Sequence, residues 1–380
     1  MITYAADTQK QNVIDAWKIS FPNDSEAFVD FYFEKKYRNE DTLLLFKDGE
    51  MASCLQMLPY KMTYYEKLIK TSYISGAATL PAYQNQGLMK KLLIRAFKEM
   101  LKRKDVLTTL IPQEPWLIDF YKKLGYTSCF EYKLRAINPN DYPRFPDRMR
   151  FKEFQLADYK AAHSFYKRQF IKQNSCIQKS IADFSVMVEA CQNFDGNVYV
   201  LIDKGSMVGL CFCFFANGKV ILKDCITRNA EYQQYFLSKL TQRISNQDIF
   251  MYSPVAAPAP PLTPPKEGNF PSLGGLREAE EIVEMGMARI LDAPRLLALF
   301  AKFHPHLTFS IKIADKYILE NNITAIISDG KIRACRLSTV DFELSIEKLT
   351  RLLLGYRVSE FGEKYAIFPE QHPYMSLMLE

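Results

Sequence analysis

The stretch Gln84-Asn85-Gln86-Gly87-Leu88-Met89-Lys90 lies where a loop becomes a helix, and its residue types suit the holding of an anion. A helix start leaves about four backbone N–H groups without intrahelical partners and carries a partial charge of about +0.5. After an open loop, those donors can surround a phosphate. Gly87 lacks a Cβ and lets backbone and ligand come close. Gln84, Asn85 and Gln86 would add loop N–H groups and amides, and Lys90 could meet a second phosphate. The same residues also read as a flexible turn before an ordinary surface helix.

Other reactive side chains point to packing. The eight cysteines, at 54, 129, 176, 191, 211, 213, 225 and 335, form no Cys-x-x-Cys pair. They are expected to be reduced thiols, with Cys211 and Cys213 on one face of a strand as small hydrophobes. His304 and His306 have ligand-like spacing but no cysteine or third histidine nearby, so no metal site is expected.

The chain has 380 residues, 48% of them hydrophobic and 24% charged, which suits a folded protein of two or three domains. A formal charge of +6 without a block of like charge selects no nucleic acid. Asp7 and Asp15 interrupt the first residues, which read as neither signal peptide nor membrane anchor, so a cytoplasmic protein is expected.

The elements that must position the junction follow from pattern. Residues 24–38 carry Phe28, Phe31, Tyr32 and Tyr37 at a helical period. Two strands then flank Lys47-Asp48-Gly49, and a further strand over 70–80 ends at Pro81. After Gly87, Leu88, Met89, Leu92, Leu93, Ala96, Phe97, Met100 and Leu101 form one apolar stripe, and lysines and Arg95 take the other side. Lys98, Lys102, Arg103 and Lys104 read as a solvated face. A strand over 106–112, a short helix over 115–126 ended by Gly125, and a strand over 129–137 complete a mixed α/β unit.

The plan repeats over 197–244, but the second strand-to-helix junction, Thr227-Arg228-Asn229-Ala230, lacks glycine and proline, so it is not expected to bind the same ligand. A proline-rich connector over 253–268 follows. Beyond it, helices over 287–303 and 344–356 surround strands over 306–313, 323–330 and 331–338, a small α+β domain. The expected domains are 1–137, 138–268 and 269–380.

Residues 76–93 resemble the acyl-coenzyme A signature of the GNAT acetyltransferase superfamily, with Gln84, Gly87 and Met89 at its three signature positions. Met89 replaces the small residue usual there. Phe120 to Tyr126 resemble the second half of that signature, and the order of three segments resembles the Eis (enhanced intracellular survival) N-acetyltransferases. The resemblance implies tandem GNAT-fold domains, the second degenerate, and a terminal sterol-carrier-like domain. It implies transfer of acetyl from acetyl-CoA, a co-substrate, to a primary amine of aminoglycoside, lysine or polyamine type in a ternary complex, without metal.

In that scheme Ala77, Ala78 and Thr79 pair with the pantetheine arm, and Gln84, Asn85, Gln86, Gly87, Leu88, Met89 and Lys90 hold the pyrophosphate. Tyr121 is the general acid, and the carboxylate ending the chain at Glu380 is the base. Aromatics of residues 30–37 would line the acceptor pocket. The implied partners are a small-molecule or peptide amine and other copies of the chain, hexameric in related enzymes, with neither nucleic acid nor membrane. Two other classes stay open: a lipid or small-ligand binding protein using its terminal domain, and an aminoacyl transferase using charged tRNA.

Overall fold

The computed structural model describes residues 1–216, 218–244, 247–255 and 280–376. Most of the expected connector, and Glu380, lie outside the described residues. The chain begins with β1 (Ile2–Tyr4), α1 (Lys10–Ser20), α2 (Glu26–Lys35), β2 (Thr42–Lys47), β3 (Glu50–Tyr64) and β4 (Lys67–Thr79). It continues with α3 (Leu88–Lys102), β5 (Leu107–Leu110), α4 (Pro115–Lys122) and β6 (Thr127–Ile137). Next come β7 (Arg150–Glu153), α5 (Tyr159–Phe170), β8 (Ile177–Gln178), α6 (Ile181–Asn193), β9 (Gly196–Asp203) and β10 (Ser206–Ala216). They are followed by β11 (Lys219–Thr227), α7 (Ala230–Arg243), β12 (Asp248–Pro254), β13 (Glu280–Ile290) and α8 (Ala293–Phe303). The last elements are β14 (Phe309–Ala314), β15 (Thr324–Ser328), β16 (Lys331–Ala334), β17 (Phe342–Ser345) and α9 (Ile346–Leu354).

These elements form two compact units. One unit comprises Met1–Phe130, Ile171–Ser180 and Met285–Glu380. Its main strands run in the order β1-β2-β3-β4-β5-β13, with β8 on the far part of β3. All neighbours there are antiparallel except β4 and β5. A second, four-stranded sheet has the order β16-β15-β14-β17. The other unit, Glu131–Phe170 with Ile181–Glu284, orders its strands β7-β9-β10-β11-β12-β6, and again only one pair, β11 and β12, is parallel. The expected tandem α/β architecture is thus observed.

Local chemistry explains the hairpins. Each two-residue turn needs positive φ at both positions, which Asp-Gly or Lys-Gly supplies. Asp48 and Gly49 adopt φ 52° and 87°, Lys204 and Gly205 46° and 74°, Asp329 and Gly330 51° and 69°. Helix α3 buries Leu88, Leu92, Leu93, Ala96, Phe97 and Met100 along the expected stripe. Each of these side chains except Ala96 contributes roughly 1.5–3 kcal/mol of burial free energy.

Two expectations are corrected. The strand over 129–137, expected to complete the first unit, belongs to it only as far as Phe130. Its residues from Tyr132 to Ile137 pair with β12, and β13 takes the place next to β5, with Arg289 opposite Thr108. Pairing partners are chosen by long-range register, which an apolar string does not encode. Residues 287–303 do not form one helix. Met287 to Ile290 are strand, and the helix starts only after Asp292, whose side chain accepts from the Arg295 N–H at 3.0 Å with Pro294 in the first turn.

A bulge in β4 sets the geometry of the site. Between the pairs Cys54↔Ala78 and Gln56↔Ser75, one residue of β3 faces two of β4, Gly76 and Ala77. Gly76 has φ 54°, and a Cβ there would lie 2.6 Å from the Trp17 ring. Gly76→Val combines left-handed strain with overlap and is expected to cost about 2–5 kcal/mol. A urea-unfolding midpoint equal to wild type would show that the bulge relaxes freely.

Candidate active site

Beyond the bulge, β4 leaves its parallel neighbour. The ladder with β5 consists of Thr71↔Leu107, Ser72↔Thr108 and Tyr73↔Thr109, whereas β4 stays on β3 to Ser53↔Thr79. The backbone of Ala77, Ala78 and Thr79 therefore has no strand beside it on the β5 side among the described residues. Such an edge can pair with an extended ligand as a further strand would. Part of it is already engaged: Ser53 Oγ donates to the Ala78 carbonyl at 2.8 Å, and Gln84 Nε2 to the Thr79 carbonyl at 3.2 Å.

The loop after β4 makes one tight turn over Pro81–Tyr83 and then passes through two left-handed residues, Asn85 at φ 58° and Gly87 at φ 70°. Gly87 is the N-cap of α3 and carries no side-chain cap. The first bond into the helix runs from the Lys91 N–H to the Gly87 carbonyl at 3.2 Å. Among the described residues, the N–H groups from Asn85 to Lys90 have no acceptor, and nothing lies within 4 Å of the position a Gly87 Cβ would take. A concave run of free N–H groups at the positive end of a helix can hold a phosphate or diphosphate.

The side chains divide differently. Gln84 and Gln86 fold the loop, the first through Thr79 and the second by donating to the Ala82 carbonyl at 3.2 Å while accepting from Lys47. Their amides are thus engaged within the loop and with Lys47. Leu88 and Met89 turn toward the core and offer only backbone. Lys90 is exposed, its Nζ 5.8 Å from the centre of the Tyr317 ring.

Tyr121 stands on α4, which opens at Pro115 and is followed by Gly125 at φ 86°. Its ring is 6% exposed and shares an apolar cluster with Leu88, Leu92, Leu110 and Leu124. The hydroxyl has no hydrogen-bond partner among the described residues. Burial pushes its pKa up to about 12, so the phenol keeps its proton throughout the neutral range. Tyr126 packs edge-on to Tyr121 with ring centres 5.6 Å apart, its hydroxyl 3.4 Å from Thr108 Oγ1. Both tyrosines are buried in one apolar cluster, and only the Tyr126 hydroxyl has a hydrogen-bond partner among the described residues.

The α2 aromatics are mostly core. Tyr32 is fully buried, with its hydroxyl 2.8 Å from Ser75 Oγ and donating to Gln56 Oε1 at 3.2 Å, directly beside the bulge. Gly76, the residue that permits the bulge, was missed by motif reading. The available signal was a glycine inside a strand pattern. Seven cysteines are buried, and no cluster of metal-ligating side chains occurs among the described residues.

In the other unit β11 is bulged in the same way, with Asp224 and Cys225 against Cys211, and α7 starts at Asn229. There the Asn229 side chain itself accepts from the Tyr232 N–H at 2.9 Å. This helix start is capped from within, whereas that of α3 is not.

Comparison with known proteins gives this geometry a context. Residues 1–129 match the family model described as the acetyltransferase (GNAT) domain. The S-alkylcysteine N-acetyltransferase of Bacillus subtilis (strain 168) is 30% identical over 99 residues, 24% of this chain and 54% of that protein, so the match spans about half of the relative's length. A GCN5-related N-acetyltransferase from Anabaena variabilis shares the fold over 99% of this chain and 98% of its own, with TM-score 0.76 and 16% identity. A probable N-acyltransferase from Enterococcus faecalis shares it over 99% of both chains, with TM-score 0.77 and 17% identity. Eis1 from Mycobacterium abscessus does so over 93% of this chain and 89% of its own, with TM-score 0.69 and 14% identity.

Inorganic pyrophosphate is expected to shift the backbone amide resonances of Asn85 through Lys90 and to leave those of Thr227 through Tyr232 in place. Equal shifts at both junctions, or none at the first, would contradict the selectivity argued from capping.

Proposed function

We propose that this chain, which contains an acetyltransferase (GNAT) domain in residues 1–129, transfers acetyl from acetyl-CoA to a primary amine in a direct ternary complex. The observation that carries the reading is the continuity of two features: the unpaired edge of β4 at Ala77, Ala78 and Thr79, and the free N–H run from Asn85 to Lys90. An extended arm ending in a diphosphate would meet both in that order. Backbone N–H groups of Asn85, Gln86, Gly87, Leu88, Met89 and Lys90 hold the pyrophosphate, while Gln84 shapes the loop. Lys90 adds a mobile positive charge.

The amine attacks the thioester carbonyl where β4 and β5 diverge. As the C–S bond breaks, the Tyr121 hydroxyl donates its proton to the departing thiolate. The amine proton passes to the carboxylate of Glu380. Supporting that role, the chain is held at Tyr374 and Met375: the Tyr374 carbonyl accepts from the Ile177 N–H at 2.9 Å, and Met375 lies against Gly286. Gly286 precedes Met287, the partner of Leu110 at the end of β5, so Met375 lies near that end of β5.

The acceptor class proposed is a small or peptide primary amine, of aminoglycoside, lysine or polyamine type. The amino group of an S-alkylcysteine, on which the Bacillus relative's name places its activity, belongs in the same assay panel.

Tyr121→Phe is expected to lower kcat about 100-fold or more with KM for acetyl-CoA unchanged. The Tyr121 phenol loses its proton only near pH 12, so wild-type activity should rise with deprotonation of the amine and show no decline from this group up to pH ~10. Full activity of Tyr121→Phe in a thiol-release assay would remove Tyr121 from the mechanism. Gly87→Val, strained at φ 70° and bulky beside the free N–H run, should raise KM for acetyl-CoA about 10-fold and change kcat little. An unchanged KM would place the diphosphate elsewhere.

A further inference from the structure

Arg289 is among the largest fully buried side chains of the protein and comes from β13, the strand that closes the sheet beside β5. Its Nη2 donates to both carboxylate oxygens of Asp315, at 2.8 and 3.1 Å. Asp315 also accepts from Asn321 Nδ2 at 2.8 Å and from the N–H groups of Tyr317 and Ile318 at 2.9 and 3.2 Å. Burial alone would raise its pKa, but the hydrogen bonds and charge of Arg289, with those of Asn321 and Tyr317, hold it below the ordinary aspartate value. Asp315 is held as the carboxylate, and the pair is fixed.

The remaining guanidinium atoms face the helix of Tyr121. The group lies over the Phe97 ring, 4.5 Å from its centre. Nη1 is so close to Gly125 that a Cβ there would stand 2.7 Å from it. Neither Nε nor Nη1 has a hydrogen-bond partner among the described residues. Gly125 closes α4, where the Tyr121 carbonyl accepts from Leu124 and Tyr126 at 2.9 and 3.2 Å. A cation at this end of a helix faces its partial negative charge.

A buried ion pair gives little net stability relative to an apolar pair of similar volume, so stability alone is a weak reason for this one. We propose that Arg289, held by Asp315, is a positioning residue for Tyr121: it fixes Gly125 and the last turn of α4, and through them the direction of the phenol. Only glycine at 125 admits the guanidinium. The catalytic tyrosine of the N-terminal domain would thus be aimed by residues more than 150 positions later in the sequence. This inference rests on the reading of Tyr121 as the general acid.

The test is the double variant Arg289→Met/Asp315→Leu, which removes both charges and keeps the volume. The proposal expects a melting temperature near wild type, KM for acetyl-CoA within about two-fold, and kcat lowered about 10- to 100-fold, as for a misplaced reacting group. It also expects a changed signal of Tyr121 in the NMR spectrum of ring-labelled tyrosine, assigned by its loss in Tyr121→Phe. Wild-type kcat together with an unmoved Tyr121 signal would overturn it. Should the double variant not fold, Arg289→Lys keeps the charge but not the planar contact with Gly125. The same loss of kcat at constant KM is expected, and wild-type kcat would refute the proposal. If Tyr121→Phe is itself fully active, the acid assignment fails, while the tyrosine signal still reports whether Arg289 aims the ring.

Discussion

The parting of two parallel strands is the constraint on which the rest depends. A sheet normally satisfies every interior N–H and C=O through its neighbours. Here the extra residue at Gly76 and Ala77 turns the end of β4 while β3 remains attached, so pairing with β5 ends at Tyr73↔Thr109. The bulge survives because Gly76 accepts a left-handed φ and leaves room for Trp17. Backbone edge, loop N–H groups and the Tyr121 helix all take their places around that divergence.

The same physical device occurs in both units, with different outcomes. Each has a bulge on the strand before the parallel partner, and each leads through a short loop into an amphipathic helix. At α3 a glycine cap leaves the helix donors open. At α7 an asparagine cap consumes one of them. One side chain thus distinguishes the two helix starts: Asn229 takes one donor of α7, while Gly87 takes none of α3.

Closure of the first unit has a further effect. By supplying β13, the C-terminal part of the chain contributes Met287 to the cluster around Tyr121 and Arg289 to the underside of α4. A larger cluster joins Tyr60, Tyr64 and Leu107 of the early strands to Leu296, Phe300, Leu349 and Leu353 of the late helices. The packing around Tyr121 therefore combines residues of the first 126 positions with Met287, Leu291 and Ile318.

Local features were legible without the structure: the hairpin turns at Asp48-Gly49 and Lys204-Gly205, the apolar stripe of α3, and the helix start after Gly87. Each depends on residues a few positions apart, through φ preferences and side-chain periodicity. The bonds of the Gln84 and Gln86 amides to the Thr79 and Ala82 carbonyls, the choice of β13 as the neighbour of β5, and the approach of Arg289 to Gly125 were not legible. These depend on which of several similar apolar strands come together and on the space left once they have done so. By itself the sequence determined local turns and amphipathic faces; the tertiary structure alone decided strand pairing, and with it that Met287 to Ile290 are strand, because register is settled by mutual burial and not by any short segment.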